Sequence, residues 1–372
     1  MKSILKLRRL WLLLTIPISF ALLFLASRSE HFAEGYATGF YPALSRAGNF
    51  LSGLAPFSIG EILVYALTVL LLAAAVRFAV RIARGKGRRG MIAGKFLVNL
   101  LCLAGCVLFL FTMDCGVNYY RSTFAQTSGL TVKESQKTEL VRLCKRLASD
   151  SDTLRAQTET DGSGVMKLRS RGFSQNAEKA RTAFDGLGAE YPLLRPGYGG
   201  PKPVLASRLM SRCNITGMFF PFTFEANVNT DVPEYTVPFT MCHELSHLRG
   251  FMREDEANFI AYLACRNSAD VDLRYSGAVS AFTYASNALF SADSAEAGKI
   301  YSGLNAGVRR DLQFNNEYWD RFKGPAADAA TSVNNSYLRA NSQKDGVQSY
   351  GRMVDLLLAL QRSEEAKKQS RS

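Results

Sequence analysis

The chain has 372 residues and a formal net charge of +13, a length that allows more than one structural unit. Residues 1–115 hold 13 Lys and Arg against 4 Asp and Glu, so most of the positive excess lies in the first third of the sequence. Because this excess flanks apolar segments, where lipid headgroups attract Lys and Arg, it argues against a nucleic-acid-binding protein.

Three apolar runs predict three membrane-spanning helices. The runs are residues 10–27, 62–76 and 96–113. Each is long enough, or nearly so, to cross a hydrocarbon core of about 30 Å as a helix. No comparable run follows them in the sequence. We therefore expect a three-helix transmembrane anchor over residues 1–115, a folded domain over 116–365 and a disordered polar tail over 366–372.

The distribution of Lys and Arg predicts the orientation of the chain in the membrane. Basic residues cluster in the N-terminal tail and over residues 77–95, whereas residues 28–57 contain only Arg28 and Arg46. By the positive-inside rule, the tail and the second loop are cytoplasmic and the domain after the third run is extracytoplasmic. The first run is longer than the core of a usual signal peptide, which favours an uncleaved anchor.

The loop over residues 28–57 is rich in aromatic residues, Gly and Pro. We expect it to lie along the outer membrane interface, where Tyr and Phe are enriched. A plain solvated loop is the alternative. In either arrangement the loop belongs to the anchor over residues 1–115 and is separate from the domain that is predicted to begin at residue 116.

The rest of the sequence predicts a mostly helical domain with a small sheet, so the fold class is a membrane-anchored α+β protein. Helical spacing of apolar residues predicts helices at residues 131–149, 174–188, 254–267, 275–290 and 348–362. Residues 215–230, "ITGMFFPFTFEANVNT", alternate apolar and polar side chains as a strand does. Proline cannot donate to a β-ladder, so Pro221 predicts an edge strand or a break in the strand.

Residues 243–247, "HELSH", form an HExxH motif and hold two of the three histidines in the chain. On a helix, residues four apart share a face, so His243 and His247 can direct two imidazole nitrogens at one ion. Glu244 is rotated by one residue and can reach a water bound to that ion. Zn²⁺ suits such a site because it accepts nitrogen and oxygen ligands in an open tetrahedral geometry. The alternative is an ordinary helix that carries these residues by chance.

A third ligand is available shortly after the motif. Gly250 predicts the end of the first helix, and Glu254, Asp255 and Glu256 open a second one. A carboxylate there can complete a zinc site, or it can simply provide favourable negative charge near a helix N-terminus. The seven cysteines include no CxxC pair, so a cysteine-based zinc site is not supported.

The stretch "EDEANFIA", Glu254 to Ala261, resembles the E-x-x-A-[DN]-x-x-A segment of gluzincin-type metallopeptidases, which include the HtpX-like membrane proteases and the ImmA/IrrE-like peptidases. The resemblance implies that Glu254 is the third zinc ligand, with Glu256 as the second choice, and that Asn258 orients a ligand histidine. The interval between His247 and Glu254 is shorter than in those families. It is closer to the metzincin spacing, but Arg253 stands where metzincins have their third histidine.

The whole chain also resembles an uncharacterised family of bacterial three-pass membrane proteins that carry HExxH. The stretches "FPFTFEANVN" and "YLRANSQKDGVQSYGRMVDLLL" are similar to segments of that family. In gluzincin-type metallopeptidases, an edge strand beside the active-site helix holds the peptide. The resemblance to those enzymes therefore implies substrate contacts by Phe220, Phe222 and Phe224 on a strand over residues 217–229. A core strand is the alternative.

These features predict a zincin-like, membrane-anchored zinc metallopeptidase that acts on a peptide or protein at the outer face of the cytoplasmic membrane. Glu244 is the expected general base and acid. A donor for the developing oxyanion is also expected, and the sequence does not choose among Tyr262, Tyr337, Tyr350, Arg253 and Arg339. The alternative function is a non-catalytic membrane sensor or scaffold with a structural metal site.

Overall fold

The structure is a computed structural model that describes residues 8–194, 197–341 and 350–370. Its first part contains five α-helices. In chain order they are α1 (Thr15–Arg28, preceded by a 3₁₀ segment Arg8–Leu14), α2 (Glu30–Gly35), α3 (Tyr41–Gly53, preceded by a π-helical turn Tyr36–Phe40), α4 (Ile59–Arg84) and α5 (Arg89–Asp114).

Three of these helical segments have the length and composition of membrane spans, which confirms the prediction. They are Arg9–Arg28, Ile59–Arg84 and Arg89–Asp114. Each contains one of the predicted apolar runs and extends beyond it. Most of their large apolar side chains are exposed on the surface of the protein. Such a surface suits the hydrocarbon core of a bilayer, where only fully hydrogen-bonded backbone such as a helix is tolerated.

The second part is mostly helical, with short strands, in agreement with the predicted fold class. It begins with a 3₁₀ turn, Gly116–Tyr120. The helices that follow are α6 (Phe124–Ser128), α7 (Lys137–Arg155), α8 (Phe173–Glu190), α9 (Ser207–Arg212), α10 (Val237–Leu248), α11 (Glu254–Asn267), α12 (Val271–Ala292), α13 (Ser294–Gly303), α14 (Ala306–Asp320), α15 (Pro325–Ala340) and α16 (Tyr350–Gln369).

Five of these helices, α7, α8, α11, α12 and α16, confirm predicted helices, and α11 has the predicted bounds. Helices α13, α14 and α15 had no predicted counterpart. Helix α16 continues to Gln369, into the segment that was expected to be disordered. Residues 342–349, which belong to one of the stretches that carry the family resemblance, and residues 371–372 lie outside the described part of the chain.

The strands form two small sheets. They are β1 (Glu159–Thr160), β2 (Met166–Lys167), β3 (Lys202–Pro203), β4 (Gly217–Phe220) and β5 (Glu225–Val228). β1 and β2 form an antiparallel hairpin. In the other sheet the order is β3-β5-β4, with β5 parallel to β3 and antiparallel to β4. β4 is therefore an edge strand and β5 is central.

Residues 215–230 form two strands and not one, because the chain reverses after Phe220, at the break that Pro221 predicted as an alternative. Gly217 pairs with Val228 and Phe220 pairs with Glu225, so the intervening residues form a turn. Pro221 lies at the start of this turn, as its missing N–H requires. The turn ends at Phe224, which has a φ of +51°, a backbone conformation that residues other than Gly rarely adopt. Only β4 keeps the predicted edge position.

Helices α2 and α3, between the first two spans, pack on the second part and do not form the expected separate loop. Tyr41, at the first position of α3, is fully buried in the main apolar core. Asn49 donates to the carbonyl oxygen of Phe224 at 2.8 Å and accepts from the backbone N–H of Gly199 at 2.6 Å. These contacts pack the segment after the first span directly against the domain that follows the third span.

The start of α4 is joined to the three-stranded sheet by reciprocal helix capping. The carboxylate of Glu225 accepts the backbone N–H groups of Ile59 at 3.0 Å and Gly60 at 2.6 Å, and it pairs with Lys202 at 2.5 Å. In the other direction, Glu61 accepts the N–H groups of the chain just before α9. Carboxylates are stabilising at helix N-termini, where N–H groups lack intrahelical partners.

Helix α10 is the central element of the second part. Every residue of α10 except His243 is buried, which agrees with a sequence that is apolar on nearly all sides. It packs against α8, α11 and α12 and against both β4 and β5. The helix that carries the HExxH motif is therefore held rigidly on all sides except at its one partly exposed histidine.

Candidate metal centre and its cavity

The side chains of His243, His247 and Glu254 converge where α10 faces the start of α11. The Nε2 atoms of the two histidines lie 3.0 Å apart. One carboxylate oxygen of Glu254 is 3.3 Å from Nε2 of His243, and the other is 3.6 Å from Nε2 of His247. Their ligand atoms all lie within 4.8 Å of one another. Two imidazole nitrogens and a carboxylate oxygen form a donor set that suits Zn²⁺.

The orientation of His247 is fixed by the turn that ends α10. Gly250 has a φ of +86°, the left-handed conformation that commonly follows a helix C-terminus. This turn brings the carbonyl oxygen of Phe251 to 2.8 Å from Nδ1 of His247. Nδ1 therefore donates to the backbone, and Nε2 keeps its lone pair for a metal ion, as the outer partners of ligand histidines usually ensure.

His243 is oriented by a different neighbour. Asn258, one turn along α11 from Glu254, lies beside His243 and favours its protonated form. The Nδ1 atom of His243 nevertheless meets no partner in full hydrogen-bonding geometry. Asn258 thus lies next to His243, as the sequence predicts.

The pKa values of the cluster reflect an ion pair between His243 and Glu254, with His247 neutral beside it. Burial opposes the charge on His243, but the hydrogen bond and charge of Glu254 outweigh it and raise the pKa of His243 to about 8. Burial would raise the pKa of Glu254, but the hydrogen bond from His243 and the charges of both histidines lower it to about 2. Burial, and then the charge of His243, lower the pKa of His247 to about 4.

Glu244 lies next to the cluster without belonging to it. Its side chain is buried, and its Oε2 atom has no hydrogen-bond partner within the protein. Burial raises the pKa of Glu244 to about 8, against the opposing positive charge of His243. Buried polar atoms are nearly always satisfied, so this carboxylate oxygen is free to accept a hydrogen bond from a molecule in the cavity.

Gly217 on β4 makes room for Glu244. A Cβ atom at residue 217 would lie 2.4 Å from Oε1 of Glu244 and 2.8 Å from Cγ2 of Thr240. Since real Cβ atoms do not approach this closely, only Gly allows the backbone of β4 to pass directly over the carboxylate. Glycine inside a strand often marks such a close approach.

Glu256, the second choice for the third ligand, faces away from the histidines. Its Oε1 atom accepts the backbone N–H of Phe124 at 2.7 Å and a guanidinium hydrogen of Arg253 at 3.0 Å. The same Arg253 also donates to the carbonyl oxygen of Arg121 at 2.5 Å. Glu256 therefore joins the start of α11 to the 3₁₀ turn and α6, and the structure brings Glu254 alone to the histidines.

A cavity of about 900 Å³ opens over the cluster, within the size range of pockets that bind small molecules or peptide segments. β4 and its turn form one wall, which includes Phe220 and Phe222. Phe224, the third residue predicted to contact substrate, does not line the cavity. It is buried, and its ring packs against that of Tyr41 at a centroid distance of 6.2 Å.

Tyr337 on α15 is the one predicted oxyanion donor that lines this cavity among the described side chains. Its hydroxyl lies 2.9 Å from that of Tyr119, and burial raises its pKa, so the phenol stays protonated and able to donate at neutral pH. The other described candidates lie elsewhere: Tyr262, Arg253 and Arg339. The side chain of Tyr350 is outside the described part of the chain.

Residues 36–358 match the family described as proteins of unknown function, DUF3810. The chain belongs to this family. The DUF3810 match begins in the turn before α3 and ends within α16, so it includes the second and third spans and the whole metal cluster. No curated protein and no solved structure matches the chain.

Four functional contacts were not predicted from the sequence. They involve the carbonyl group of Phe251, the hydroxyl groups of Tyr41 and Tyr119, and Gly217. Gly217 alone carries a sequence signal, because a Gly that begins a β-branched and aromatic run suggests a close backbone approach. The other three depend on parts of the chain that are distant in sequence.

Proposed function

We propose that this protein is a membrane-anchored, zinc-dependent peptidase that hydrolyses peptide bonds at the outer face of the cytoplasmic membrane. The observation that carries the proposal is the convergence of His243, His247 and Glu254 within 4.8 Å, beside the buried and unpaired carboxylate of Glu244. The resemblance of residues 254–261 to gluzincin-type metallopeptidases supports the same roles.

In this proposal the two histidines and Glu254 hold the zinc ion. The ion would supply two effects, a lowered pKa for a bound water and polarisation of the carbonyl group that is attacked. The side chains of His243 and Glu254 are 13% and 24% exposed, which leaves one face of the cluster open to the cavity. A catalytic zinc site needs such an open position, whereas a structural site is closed by a fourth protein ligand.

Glu244 takes the proton of the attacking water and returns it to the leaving amine. A general base works best when its pKa is near the working pH, and burial raises the pKa of Glu244 to about 8. Gly217 leaves space for that carboxylate. Tyr337 donates from the opposite side of the cavity to the oxygen that gains negative charge, the usual role of a fixed donor in acyl transfer.

The location at the outer face rests on charge distribution. The N-terminal tail and the loop over residues 77–95 are rich in Lys and Arg, and such segments remain in the cytoplasm. The contacts of Tyr41 and Asn49 with the second part support a shared side for the first loop and the folded domain. With three crossings, that shared side is extracytoplasmic.

The deciding experiment uses the full-length protein in lipid nanodiscs. Zinc content is measured by mass spectrometry, and hydrolysis is followed with a mixture of internally quenched peptides of varied sequence. The wild type should bind zinc and cleave at least one peptide, lose cleavage on chelation and regain it when zinc is restored. Glu244→Gln should retain zinc and its thermal stability but lose at least about 100-fold in cleavage rate, as loss of a general base does.

The rival function is a membrane sensor or scaffold with a structural metal site. It predicts that the zinc-loaded wild type cleaves none of the peptides and that chelation lowers the melting temperature alone. Cleavage that survives unchanged in Glu244→Gln would also contradict the peptidase proposal, because another protein in the preparation would then be its source.

A further inference from the structure

The walls of the cavity above the metal cluster carry almost no charge. Among the lining residues that the structure describes, Glu244 and Glu254 are the only carboxylates, and no Lys or Arg is present. Both carboxylates already have roles in the proposed peptidase site. A cavity of about 900 Å³ therefore has no remaining charged group with which to pair a charged ligand.

The walls are formed mainly by aromatic and aliphatic side chains. Phe219, Phe220 and Phe222 line the side of β4, and Phe239, Phe282 and Trp319 line the interior and the opposite side. Apolar surface of this kind gains free energy by removing other apolar surface from water, at roughly 25 cal/mol per Å². Large apolar side chains of a ligand would bind well here.

The polar groups of the cavity are neutral amides and hydroxyls. Asn287 on α12, Asn316 on α14 and Asn334 on α15 line it and are exposed, so they lie toward its opening. Amide side chains both donate and accept hydrogen bonds, and they can pair with the backbone of a peptide without needing a charge on it.

The cavity also reaches the end of the third membrane span. Phe111, in the last turn of α5, lines it, as does Cys115 immediately after that helix. A ligand in the cavity therefore lies next to the boundary of the bilayer. Aromatic side chains are enriched at this boundary.

We infer that the site takes an internal, uncharged and apolar stretch of polypeptide, and that it rejects chain termini and charged segments. This rests on the proposed peptidase function, whose substrate class it specifies. A C-terminal carboxylate or an acidic side chain that lies away from the zinc position would meet no Lys or Arg in the described lining and would share the cavity with Glu244 and Glu254. A free amino terminus or a Lys side chain would find only carboxylates that are already in use. An unpaired buried charge is strongly unfavourable.

The test measures binding and cleavage separately. The binding arm uses zinc-loaded Glu244→Gln in nanodiscs and fluorescence anisotropy of labelled peptides with blocked ends. One peptide carries Leu, Phe and Ala around its centre, and matched peptides replace two of these with Glu or with Lys. A fourth peptide places the apolar residues at a free C-terminus. The apolar internal peptide should bind at least about tenfold more tightly than each of the others, equivalent to 1.4 kcal/mol or more.

A pair of variants adds a cation inside and outside the cavity. Asn316→Arg places a guanidinium at a lining position of α14, and Gln313→Arg places one at an exposed position of the same helix that does not line the cavity. Asn316→Arg should reduce the discrimination against the Glu peptide by at least about tenfold, whereas Gln313→Arg should leave it unchanged. Melting temperatures of both variants show whether the fold is intact.

The outcomes separate this inference from the function on which it rests. If the charged or C-terminal peptides bind as tightly as the apolar one, or if no peptide binds, the substrate class is wrong. If the wild type cleaves charged peptides or chain ends as fast as internal apolar segments, the peptidase function stands and the substrate class fails. If apolar peptides bind selectively but none is cleaved by the zinc-loaded wild type, the cavity is assigned correctly and the peptidase function fails.

Discussion

The hydroxyl group of Tyr41 donates to the carbonyl oxygen of Leu248 over 3.3 Å. Tyr41 lies between the first two membrane spans, and Leu248 is the last residue of the helix that carries both histidines. The end of a helix leaves carbonyl groups without intrahelical partners. A residue of the predicted membrane anchor therefore donates to the end of the helix that carries both histidines.

Replacing Tyr41 should destabilise the protein and weaken zinc retention. Tyr41→Phe should cost about 1 kcal/mol because a buried carbonyl loses its donor. Tyr41→Ala should cost ~3–5 kcal/mol because it also leaves a large cavity in the core. Chemical unfolding in detergent micelles, followed by circular dichroism, measures the loss of stability in both variants. Phe50→Ala, at an exposed position of the same helix, is the control and should change stability by less than about 0.5 kcal/mol.

Glu254 and Glu256 should differ sharply in their effect on metal binding. Glu254→Gln should weaken zinc binding by more than about 100-fold, since the loss of outer partners alone costs ~10–100-fold. Glu256→Gln should retain zinc but lose about 1–3 kcal/mol of stability, because its contacts with Phe124 and Arg253 join two parts of the fold. Competition with a chromophoric chelator gives the affinities. Equal zinc loss in the two variants would contradict the assignment of Glu254.

A methyl group at residue 217 should disturb catalysis but not metal binding. Gly217→Ala would place Cβ 2.4 Å from Oε1 of Glu244 and so displace the carboxylate. A shift of about 1 Å at a reacting group can cost ~100-fold in rate, so kcat/KM should fall ~10–100-fold while zinc content stays constant. Gly162→Ala is a matched control, since nothing lies within 4 Å of a Cβ there. Unchanged kinetics in Gly217→Ala would argue against Glu244 as the base.

The hydroxyl group of Tyr337 should matter more for kcat than for KM. A donor that acts mainly on the transition state is worth ~10²–10³ in kcat, so Tyr337→Phe should lower kcat by that factor with KM within about threefold. Tyr119→Phe removes the neighbouring hydroxyl, 2.9 Å away, and should have a smaller effect through the position of Tyr337. A rise in KM with constant kcat would assign Tyr337 to substrate binding alone.

The buried ion pair of Lys202 and Glu225 should stabilise the fold only when both partners are present. Lys202→Met leaves the carboxylate of Glu225, 1% exposed, without its cation. Breaking a buried ion pair in this way costs ~3–5 kcal/mol. Adding Glu225→Gln to Lys202→Met should recover part of the loss, because the amide oxygen can still accept from the start of α4. Equal stability of the wild type and Lys202→Met would show that the pair is unimportant.

The spans and the metal helices were predictable because their signals are local. A run of about 20 apolar residues has few alternatives to a membrane helix, and the spacing of His243 and His247 places both on one face of α10 whatever surrounds it. The sequence could not decide whether Glu254 or Glu256 lies next to the histidines. That outcome depends on the backbone N–H of Phe124, which binds Glu256 from more than a hundred residues earlier in the chain.

The reversal between β4 and β5 and the packing of α3 could not be predicted, because both depend on contacts that local sequence patterns do not show. Phe222 and Phe224 continue the strand alternation through a turn, and nothing in the residue type of Phe224 indicates its positive φ. Helix α3 gains its order from distant partners, such as the contact of Asn49 with Phe224. Tertiary contacts of this kind override local patterns.

The capping of α4 by Glu225, and of the chain before α9 by Glu61, has a consequence for handling the protein. A truncated form that starts at residue 116 would lack Tyr41 and so expose part of the apolar core. It would also remove the backbone N–H groups of α4 that the Glu225 carboxylate accepts. Such a fragment should aggregate or lose its zinc. Secretion of the soluble part alone is therefore a poor route to crystals, and the intact chain extracted with native lipids is the appropriate specimen.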